Sequence, residues 1–224
     1  MGFIVSINVG LPTQVNLPGK PRFRSAIFKK PVKKKVFLDY LGFEGDGVAD
    51  LVDHGGADKA ISVYVKNHYA FWENEFSKKL SPGAFGENLT IEGLTEKEVC
   101  IGDIFRIGEA EVQCSQPREP CHKLSKIFDR PEIGRKIRET GFSGFYLKVL
   151  KQGWVKPGAE IKCVQKEHSG FSVYEVNKLL YRDKKNCEKI QELLQIEALS
   201  ADMRELFKKR LSKINPAWKE VKEV

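Results

Sequence analysis

The sequence Ser115-Gln116-Pro117-Arg118-Glu119-Pro120-Cys121-His122 directly follows a strand-like run, Glu111-Val112-Gln113-Cys114. Each proline fixes φ and removes an N–H donor, so we expect neither a β-ladder nor an α-turn across this segment. The next five residues, 124–128, have the length of one or two helical turns, with Pro120 near the first helical position. The segment is therefore predicted to be a stiff loop between a strand and a helix.

Cys121 has the most distinctive chemistry in this loop. A cysteine at a helix start, three residues after an arginine, lies in a positive electrostatic field. Such a field favours the thiolate, which attacks electrophiles and binds soft metals. The alternative is a half-buried structural cysteine on a turn, but the rigid loop and the neighbouring guanidinium group favour a functional role.

Length and composition indicate one large domain, or one domain with a small appendage. The 224 residues are 41% apolar and 30% charged, which is enough apolar material for a core. No apolar run approaches the roughly 18 residues of a membrane span, and Met1 to Val9 lacks the features of a signal peptide. The five cysteines contain no C-x-x-C pair, so we expect a reduced, cytoplasmic protein without a membrane partner.

The excess positive charge of the chain is local. The formal net charge is +8, and residues 20–35 carry eight basic side chains and no acidic one. This stretch could bind nucleic acid, form a solvated face or hold an anionic small molecule, and composition does not separate these three possibilities. The basic residues are Lys20, Arg22, Arg24, Lys29, Lys30, Lys33, Lys34 and Lys35.

The pattern along residues 1–166 is mainly β. Short alternating runs separated by glycine turns predict strands, and many short strands with few helices predict a closed or nearly closed barrel. Two helices are expected among the strands: one from Tyr69 to Leu80, ending at Ser81-Pro82-Gly83, and one from Pro131 to Thr140, closed by Gly141. The predicted strands are residues 3–9, 36–40, 61–65, 88–91, 103–107, 110–114, 145–149 and 160–164.

The character of the sequence changes after the last predicted strand. Ser172 begins a capping box, and Asn186 and Ser200 are candidate N-caps of two further amphipathic helices. Three short helices would be marginally stable alone, so we expect them to dock on the barrel or on a partner. We therefore divide the chain into a β-barrel domain, residues 1–166, and a three-helix appendage, residues 167–224, and expect the barrel to fold without the appendage.

A loop from Asp46 to Lys59 is rich in glycine and aspartate. Its acidic residues and its histidine could bind a divalent metal, although their spacing matches no EF-hand or zinc pattern. The turn His54-Gly55-Gly56 is better interpreted as a place where backbone amides approach an anion, with Lys59 adding charge. The five possible metal ligands are Asp46, Asp50, Asp53, His54 and Asp58.

A second glycine bend, Phe85-Gly86-Glu87-Asn88-Leu89, ends at an asparagine that opens a strand. The amide of Asn88 both donates and accepts hydrogen bonds, which suits the edge of a heterocycle. A turn residue bonded to its own backbone is an equally good interpretation from the residue type alone.

Five motifs occur in a fixed order, and together they are specific although each alone is weak. They are Gly42-x-x-Gly45-Asp46, His54-Gly55-Gly56-x-Asp58-Lys59-Ala60, Phe85-Gly86-Glu87-Asn88-Leu89, Gly102-Asp103 and Gln116-Pro117-Arg118-x-Pro120-Cys121. In this combination the chain closely resembles the MOSC-domain proteins, named for the molybdenum cofactor sulfurase C-terminus, and within them the YiiM-like group. The resemblance covers roughly residues 1–165, and the tail is similar to the three-helix appendage of that group.

The resemblance implies a MOSC-type β-barrel that binds the molybdenum cofactor (Mo-molybdopterin), a pterin with a dithiolene and a phosphate. By the family pattern, Cys121 would be the thiolate ligand of molybdenum, which suits a soft ligand in a positive loop. Ser25 and Lys29 would face the phosphate-bearing cofactor. The residues expected in the same cleft are Asp46, His54, Lys59, Asn88 and Arg118.

The resemblance also implies an activity. MOSC proteins of this type reduce N-hydroxylated compounds, such as 6-hydroxylaminopurine, hydroxylamines and amidoximes. Removal of the oxygen as water needs two electrons and two protons. The chain contains no flavin, nicotinamide or iron–sulfur motif, so we expect a separate electron donor, such as a flavoprotein reductase.

Other functions stay open at the level of sequence. Cys121 could carry a persulfide for cofactor sulfuration, or the domain could bind the cofactor without turnover. A nucleic-acid-binding module is disfavoured because only Phe23 and Phe28 interleave with the basic stretch. A cysteine hydrolase would need a histidine near the sulfur. The candidates are His54, His68, His122 and His168.

Overall fold

Strands dominate the chain up to residue 165, and three α-helices follow them. The structure is a computed structural model that describes residues 1–50, 55–167 and 170–216. Within these ranges, no helix is long and apolar enough to cross a membrane. The strands are β1 (Gly2–Val9), β2 (Thr13–Val15), β3 (Phe23–Ser25), β4 (Lys30–Pro31), β5 (Val36–Asp39), β6 (Gly42–Phe43), β7 (Ile61–Val65), β8 (Leu89–Glu92), β9 (Ile104–Ile107), β10 (Ala110–Pro117), β11 (Phe145–Lys151), β12 (Gly153–Val155) and β13 (Glu160–Gln165). The helices are α1 (Tyr69–Phe76), α2 (His122–Phe128), α3 (Ile133–Thr140), α4 (Val173–Tyr181), α5 (Cys187–Leu194) and α6 (Ala201–Ile214), with 3-10 turns at Ala57–Lys59 and Lys66–His68.

Seven of the described strands close into a barrel in the order β13-β9-β10-β11-β7-β8-β1. The barrel closes where β1 pairs with β13, with Gly2 opposite Ile161 and Phe3 opposite Glu160. β7 and β8 run parallel, while the other neighbouring strands in the barrel are antiparallel. A closed barrel leaves no unpaired sheet edge. The mainly β barrel followed by three helices is thus confirmed.

The strand before the proline loop is longer than the sequence predicts. β10 continues to Pro117, and Gln116 and Pro117 lie opposite Tyr146 and Phe145 of β11. The expectation that no ladder crosses the first proline is therefore wrong. Beyond Cys114 the ladder involves β11 alone, and proline is tolerated at such a one-sided strand end because no second neighbour requires its N–H.

Helix α1 ends four residues earlier than predicted. It stops at Phe76, because Ser77 adopts the left-handed conformation with φ of 50°. The carboxylate of Glu73 accepts a hydrogen bond from the backbone N–H of Leu80 at 2.9 Å, so Leu80 belongs to a turn that folds back on the helix. Helix α3, by contrast, ends at a left-handed Gly141, as predicted.

The three predicted N-caps of the tail are confirmed. The side-chain oxygens of Ser172, Asn186 and Ser200 each accept a hydrogen bond from the backbone N–H three residues later, at 3.0–3.3 Å. These bonds satisfy N–H groups that have no partner within the first helical turn. The starts of α4, α5 and α6 are therefore encoded by single local residues.

One hydrophobic core runs through the barrel and the three helices. Leu193 of α5 and Phe207 of α6 are buried in the same cluster as Val112 of β10. The start of α4 is also bonded to the barrel domain, because the N–H of Val173 donates to the carbonyl of Val99 at 2.8 Å. The helices thus dock on the barrel. The predicted ability of the barrel to fold alone stays a prediction.

Candidate functional site

A cleft with a volume of about 270 Å³ opens among the loops at the ends of β3, β6, β8 and β10. Seven of the eight predicted site residues line it, which brings together positions spread over nearly a hundred residues of sequence. The eighth, His54, lies outside the described residues, although the following Gly55 and Gly56 line the cleft. The seven are Ser25, Lys29, Asp46, Lys59, Asn88, Arg118 and Cys121.

Glycines allow the loops of the cleft to approach one another closely. Gly86 has φ of 74°, and a Cβ there would lie 2.8 Å from the side chain of Ile27. Gly42 has φ of 136°, and a Cβ there would lie 3.0 Å from the carbonyl of Ala60. Both positions need a residue without a side chain. Ser25 shapes the facing loop, because its hydroxyl accepts a hydrogen bond from the N–H of Ile27 at 3.2 Å.

Asp46 is the centre of a buried polar network. Its Oδ1 accepts a hydrogen bond from the N–H of Gly10 at 2.8 Å and forms an ion pair with Lys29 Nζ. Its Oδ2 accepts from Asn88 Nδ2 at 2.7 Å. The side chains of Asp46 and Lys29 are 8% and 7% exposed. Burial lowers the pKa of Lys29, and the Asp46 carboxylate opposes this effect. Asp46 therefore joins three separate loops at one wall of the cleft.

Asn88 is held on both atoms of its amide. Oδ1 accepts hydrogen bonds from the N–H and the hydroxyl of Ser62 at 3.0 and 2.9 Å, and Nδ2 donates to Asn8 O and Asp46 Oδ2. An amide has two donors and two acceptor positions, and all four are used here by protein groups. The sequence suggested a heterocycle edge or the residue's own backbone as partners, and these bonds go instead to other strands and loops.

Glu87 supports the cleft from behind without lining it, and sequence reasoning missed this role. Its carboxylate is fully buried and accepts hydrogen bonds from the N–H groups of Gly83 and Phe85 and from the hydroxyls of Tyr69 and Thr90. Burial and the Glu87 charge raise the pKa of Tyr69 well above its ordinary value. An acid between a glycine bend and a strand was a possible signal. Glu87 therefore fixes the bend that positions Asn88.

Arg118 has an unpaired donor at the cleft. Its Nη2 donates to the carbonyl of Phe85 at 2.8 Å, and its guanidinium lies about equally far, 5.9 and 6.0 Å, from the ring centroids of Tyr64 and Tyr146. Its Nη1 is buried and has no hydrogen-bond partner among the described residues. An arginine that is oriented in this way, with an N–H left over, is suited to binding an anion.

Helix α6 reaches the wall of the cleft. Lys59 Nζ forms an ion pair with Asp202 in the first turn of α6, and its side chain is only 7% exposed. The carboxylate of Asp58 accepts a hydrogen bond from the N–H of Ala201 at 3.0 Å, while its carbonyl accepts from the hydroxyl of Ser115 at 2.6 Å. The helical tail is thus bonded directly to the turn that carries Lys59.

Cys121 lies at the N-cap position of α2, half-buried, with its neighbour Arg118 on the same cleft. No other cysteine lines this cleft. Burial raises the pKa of the Cys100 and Cys114 thiols, which keeps those thiols protonated. Because it lines the cleft, Cys121 is the described cysteine placed to contact a group bound there.

The described histidines do not support a cysteine hydrolase. His68 is buried away from the cleft, and its Nε2 lies 2.7 Å from a carboxylate oxygen of Glu96. His122 is exposed and does not line the cleft. His54 and His168 lie outside the described residues.

Two aspartates of the 46–59 loop, Asp46 and Asp58, are engaged with other protein groups. Asp46 pairs with Lys29, and Asp58 bonds to α6. In the part of the chain that the structure describes, no group of three His, Cys, Asp or Glu side chains is placed to hold a metal ion. Asp53 and His54, two of the five suggested ligands, lie outside that part.

Comparison with known proteins identifies the family. Residues 50–162 match the MOSC domain, and residues 172–213 match the YiiM-like, 3-alpha helix domain. The protein YflK of Bacillus subtilis (strain 168) is 47% identical over 213 residues, which cover 95% of this chain and 96% of YflK. The chain belongs to the MOSC family and carries the YiiM-like helical domain.

The fold and a second relative extend this result. The crystal structure of YiiM from Geobacillus stearothermophilus superimposes with a TM-score of 0.81 at 37% identity, covering 94% of this chain and 100% of that chain. A protein named reductase from Gibberella moniliformis is 31% identical over 183 residues, which are 80% of this chain but 32% of that protein. Family membership and this distant relative indicate a role related to the molybdenum cofactor.

Proposed function

We propose that this protein is a molybdenum-cofactor-dependent reductase of N-hydroxylated compounds, such as 6-hydroxylaminopurine and hydroxylamines. The observation that carries the proposal is that Cys121 and the unpaired, buried N–H of Arg118 share one cleft. Membership of the MOSC family and the reductase relative support the same role.

The residues of the cleft fit a group that combines an anion, a flat heterocycle and a soft metal. Arg118 Nη1 needs an acceptor, and a phosphate oxygen supplies one. Cys121 provides a sulfur ligand of the kind that molybdenum prefers. Lys59 also lines the cleft, where its charge is paired with Asp202. Apolar residues offer a surface on which a pterin can pack. They include Ala26, Ile27, Val48 and Ala49.

The remaining cleft residues hold this arrangement in shape. Lys29, Asp46 and Asn88 bond to one another, so we assign them to positioning the wall. Glu87 supports this wall indirectly, because its carboxylate fixes the backbone bend before Asn88. Ser25 keeps the facing loop in place and lines the cleft with its buried side chain.

When bound, the cofactor supplies two-electron chemistry that removes the oxygen of an N–OH group. In overall balance, R–NHOH, two electrons and two protons give R–NH₂ and water. The protein's part is to hold the metal through Cys121 and the anionic end through Arg118. Small, flat substrates would enter past the exposed Leu41 at the rim of the cleft.

The electrons must come from a separate donor. The sequence has no flavin, nicotinamide or iron–sulfur motif that would let the chain store them itself. We propose a flavoprotein reductase as the donor, and the group held by Cys121 would accept the electrons.

A persulfide carrier is the second candidate function. The half-buried Cys121 can be reached from the cleft, and a sulfur atom on it would share the cleft with Arg118. A domain that binds the cofactor without turnover is a third candidate. One comparison of variants tests the reductase against these two candidates.

The experiment uses protein made in cells that build the cofactor. Wild type, Cys121→Ala and Cys163→Ala are compared for bound molybdenum and for conversion of 6-hydroxylaminopurine to adenine with a chemical reductant. Cys163 is an exposed cysteine outside the cleft, so its variant is the matched control. Cofactor-free wild type reports background reduction.

We expect wild type and Cys163→Ala to retain molybdenum and to turn over with saturation. Cys121→Ala should lose activity to background and retain metal at least about tenfold less well, because loss of a direct ligand exceeds the effect of losing its supporting bonds. Metal-loaded wild type without turnover would leave only the binding module. Equal adenine formation in all samples would overturn the reductase.

A further inference from the structure

A second open cavity, with a volume of about 470 Å³, lies between α3 and the helical tail. The loop that carries Cys121 separates it from the cleft: Cys121 lines the cleft, Pro120 lines the second cavity, and Glu119 lines both. The second cavity is therefore close to the candidate site but faces a different set of side chains, which come from α3, α4 and α6.

This cavity is strongly cationic. Five basic residues line it against two acidic ones, Glu119 and Glu139. Four of the five are arginines, although the chain has only ten arginines among its 38 basic residues. Arginine presents a planar fork of N–H donors that matches the oxygens of phosphate or carboxylate, whereas lysine is a point charge. The basic residues are Arg135, Arg138, Arg182, Lys184 and Arg210.

Neighbouring groups orient these arginines without neutralising most of them. Arg210 donates to the carbonyls of Leu179 and Leu180 at 2.6 and 3.3 Å, and Arg182 donates to the carbonyl of Glu139. Among the described residues of this cavity, only Arg135 has a carboxylate partner, the side chain of Glu139 at 2.7 Å. Among residues 1–50, 55–167 and 170–216, no carboxylate lies within ion-pair distance of the other four cations. The cavity therefore keeps an uncompensated positive charge.

Tyr181 supplies a second, independent observation. Its hydroxyl is buried, and it makes no hydrogen bond to the described residues. Burial raises the pKa of Tyr181 to about 12, so the hydroxyl stays a neutral donor at physiological pH. The guanidinium of Arg138 lies 5.6 Å from the centroid of the same ring. A buried hydroxyl without a partner costs free energy unless something else accepts its hydrogen bond.

We propose that this cavity is a binding site for a small phosphate-bearing anion, held by Arg138, Tyr181 and Lys184. The uncompensated charge attracts the anion, the arginine fork and the tyrosine hydroxyl donate to its oxygens, and the volume has room for more than a bare phosphate group. The ligand would lie behind Pro120, on the opposite side of the Cys121 loop from the cleft.

The test is a titration of the full-length protein with two probes, inorganic pyrophosphate and adenosine monophosphate, at constant ionic strength, followed by calorimetry. The two probes share the phosphate chemistry and distinguish a free phosphate from one attached to a nucleoside. Arg138→Gln and Tyr181→Phe remove the proposed donors. Tyr181→Phe deletes only the unpartnered hydroxyl, so this variant should fold normally. Lys209→Gln, an exposed charge on α6 outside both cavities, is the matched control.

We expect at least one probe to bind wild type, with affinity reduced about tenfold or more in Arg138→Gln and a few-fold in Tyr181→Phe. Lys209→Gln should bind as wild type does. Arg118→Gln, which removes the unpaired donor of the cleft, should keep the binding that Arg138→Gln weakens. Absence of binding in wild type, equal binding in Arg138→Gln, or loss confined to Arg118→Gln would overturn the proposal.

Discussion

The helical tail and the cleft are stabilised in opposite ways. In the tail, each helix begins at a side chain that accepts a hydrogen bond from three residues further along the chain. In the cleft, the hydrogen bonds of Asn88 reach Ser62, Asp46 and Asn8, which lie 26, 42 and 80 residues away. A substitution at a local contact therefore affects mainly one helix. A network of distant contacts shares its partners, so one substitution disturbs several loops.

Removing the tail should have the largest effect on stability. A chain cut after Gln165 keeps all barrel strands, so we expect it to fold, but it loses the bond between Val173 and Val99 and the core contacts of α4 to α6. Each large apolar side chain left uncovered costs about 1.5–3 kcal/mol, so the free energy of unfolding should fall by roughly 5 kcal/mol or more. Urea unfolding of both chains measures the difference. An unchanged midpoint would mean that the tail does not contribute to the core, and no folded state under any condition would contradict the two-unit division.

Removing the Glu87 carboxylate, which supports the cleft, should have an intermediate effect on stability. Glu87→Ala leaves two backbone N–H groups and the hydroxyls of Tyr69 and Thr90 without their acceptor, so we expect a loss of about 3 kcal/mol or more. Glu92→Ala is the control, because Glu92 is an exposed acid at the end of the same strand region and should change stability by less than about 0.5 kcal/mol.

If Glu87→Ala also lowers retention of molybdenum in cofactor-loaded protein, the distant contacts of the cleft affect both stability and cofactor binding. If both glutamate variants had the same unfolding midpoint, Glu87 would not be the support of the bend.

Removing single caps should have the smallest effect. Ser172→Ala, Asn186→Ala and Ser200→Ala should each cost about 1 kcal/mol, and the three should add up because the caps lie on separate helices. Ser212→Ala, an exposed serine within α6, is the control and should be nearly neutral. Thermal unfolding of the single and triple variants tests this. If the triple variant lost much more stability than the sum of the three single losses, the caps would be coupled through the core.

The contrast between local and distant contacts also explains which features could be predicted from the sequence. The caps, the eight longer strands and the left-handed Gly141 depend on local residue types, and they were predicted. The strands of two or three residues were not predicted; they are β2, β3, β4, β6 and β12. The membership of Lys29, Lys59 and Arg118 in one cleft followed from the resemblance to a family. Residue spacing alone does not bring them together.

The features that the sequence did not predict depend on distant partners or on a choice between local conformations. Glu87 is an ordinary acid until four donors from separate segments surround it. The pairing of Lys59 with Asp202 needs the tail to be docked. Ser77 ends α1 in a left-handed conformation that a serine adopts only rarely, so its sequence gives no signal for it.

Closure of the barrel between β1 and β13 also sets the order of events during synthesis. Phe3 pairs with Glu160, 157 residues later, and a ribosome adding about 5–20 residues per second needs roughly 8–30 s to make that stretch. β1 can pair with β8 once residue 91 has emerged, but its other edge stays open for the rest of that time. One edge of β1 therefore stays open until residues 160 and 161 have been made, and β9 waits for the same strand, β13, at one of its own edges.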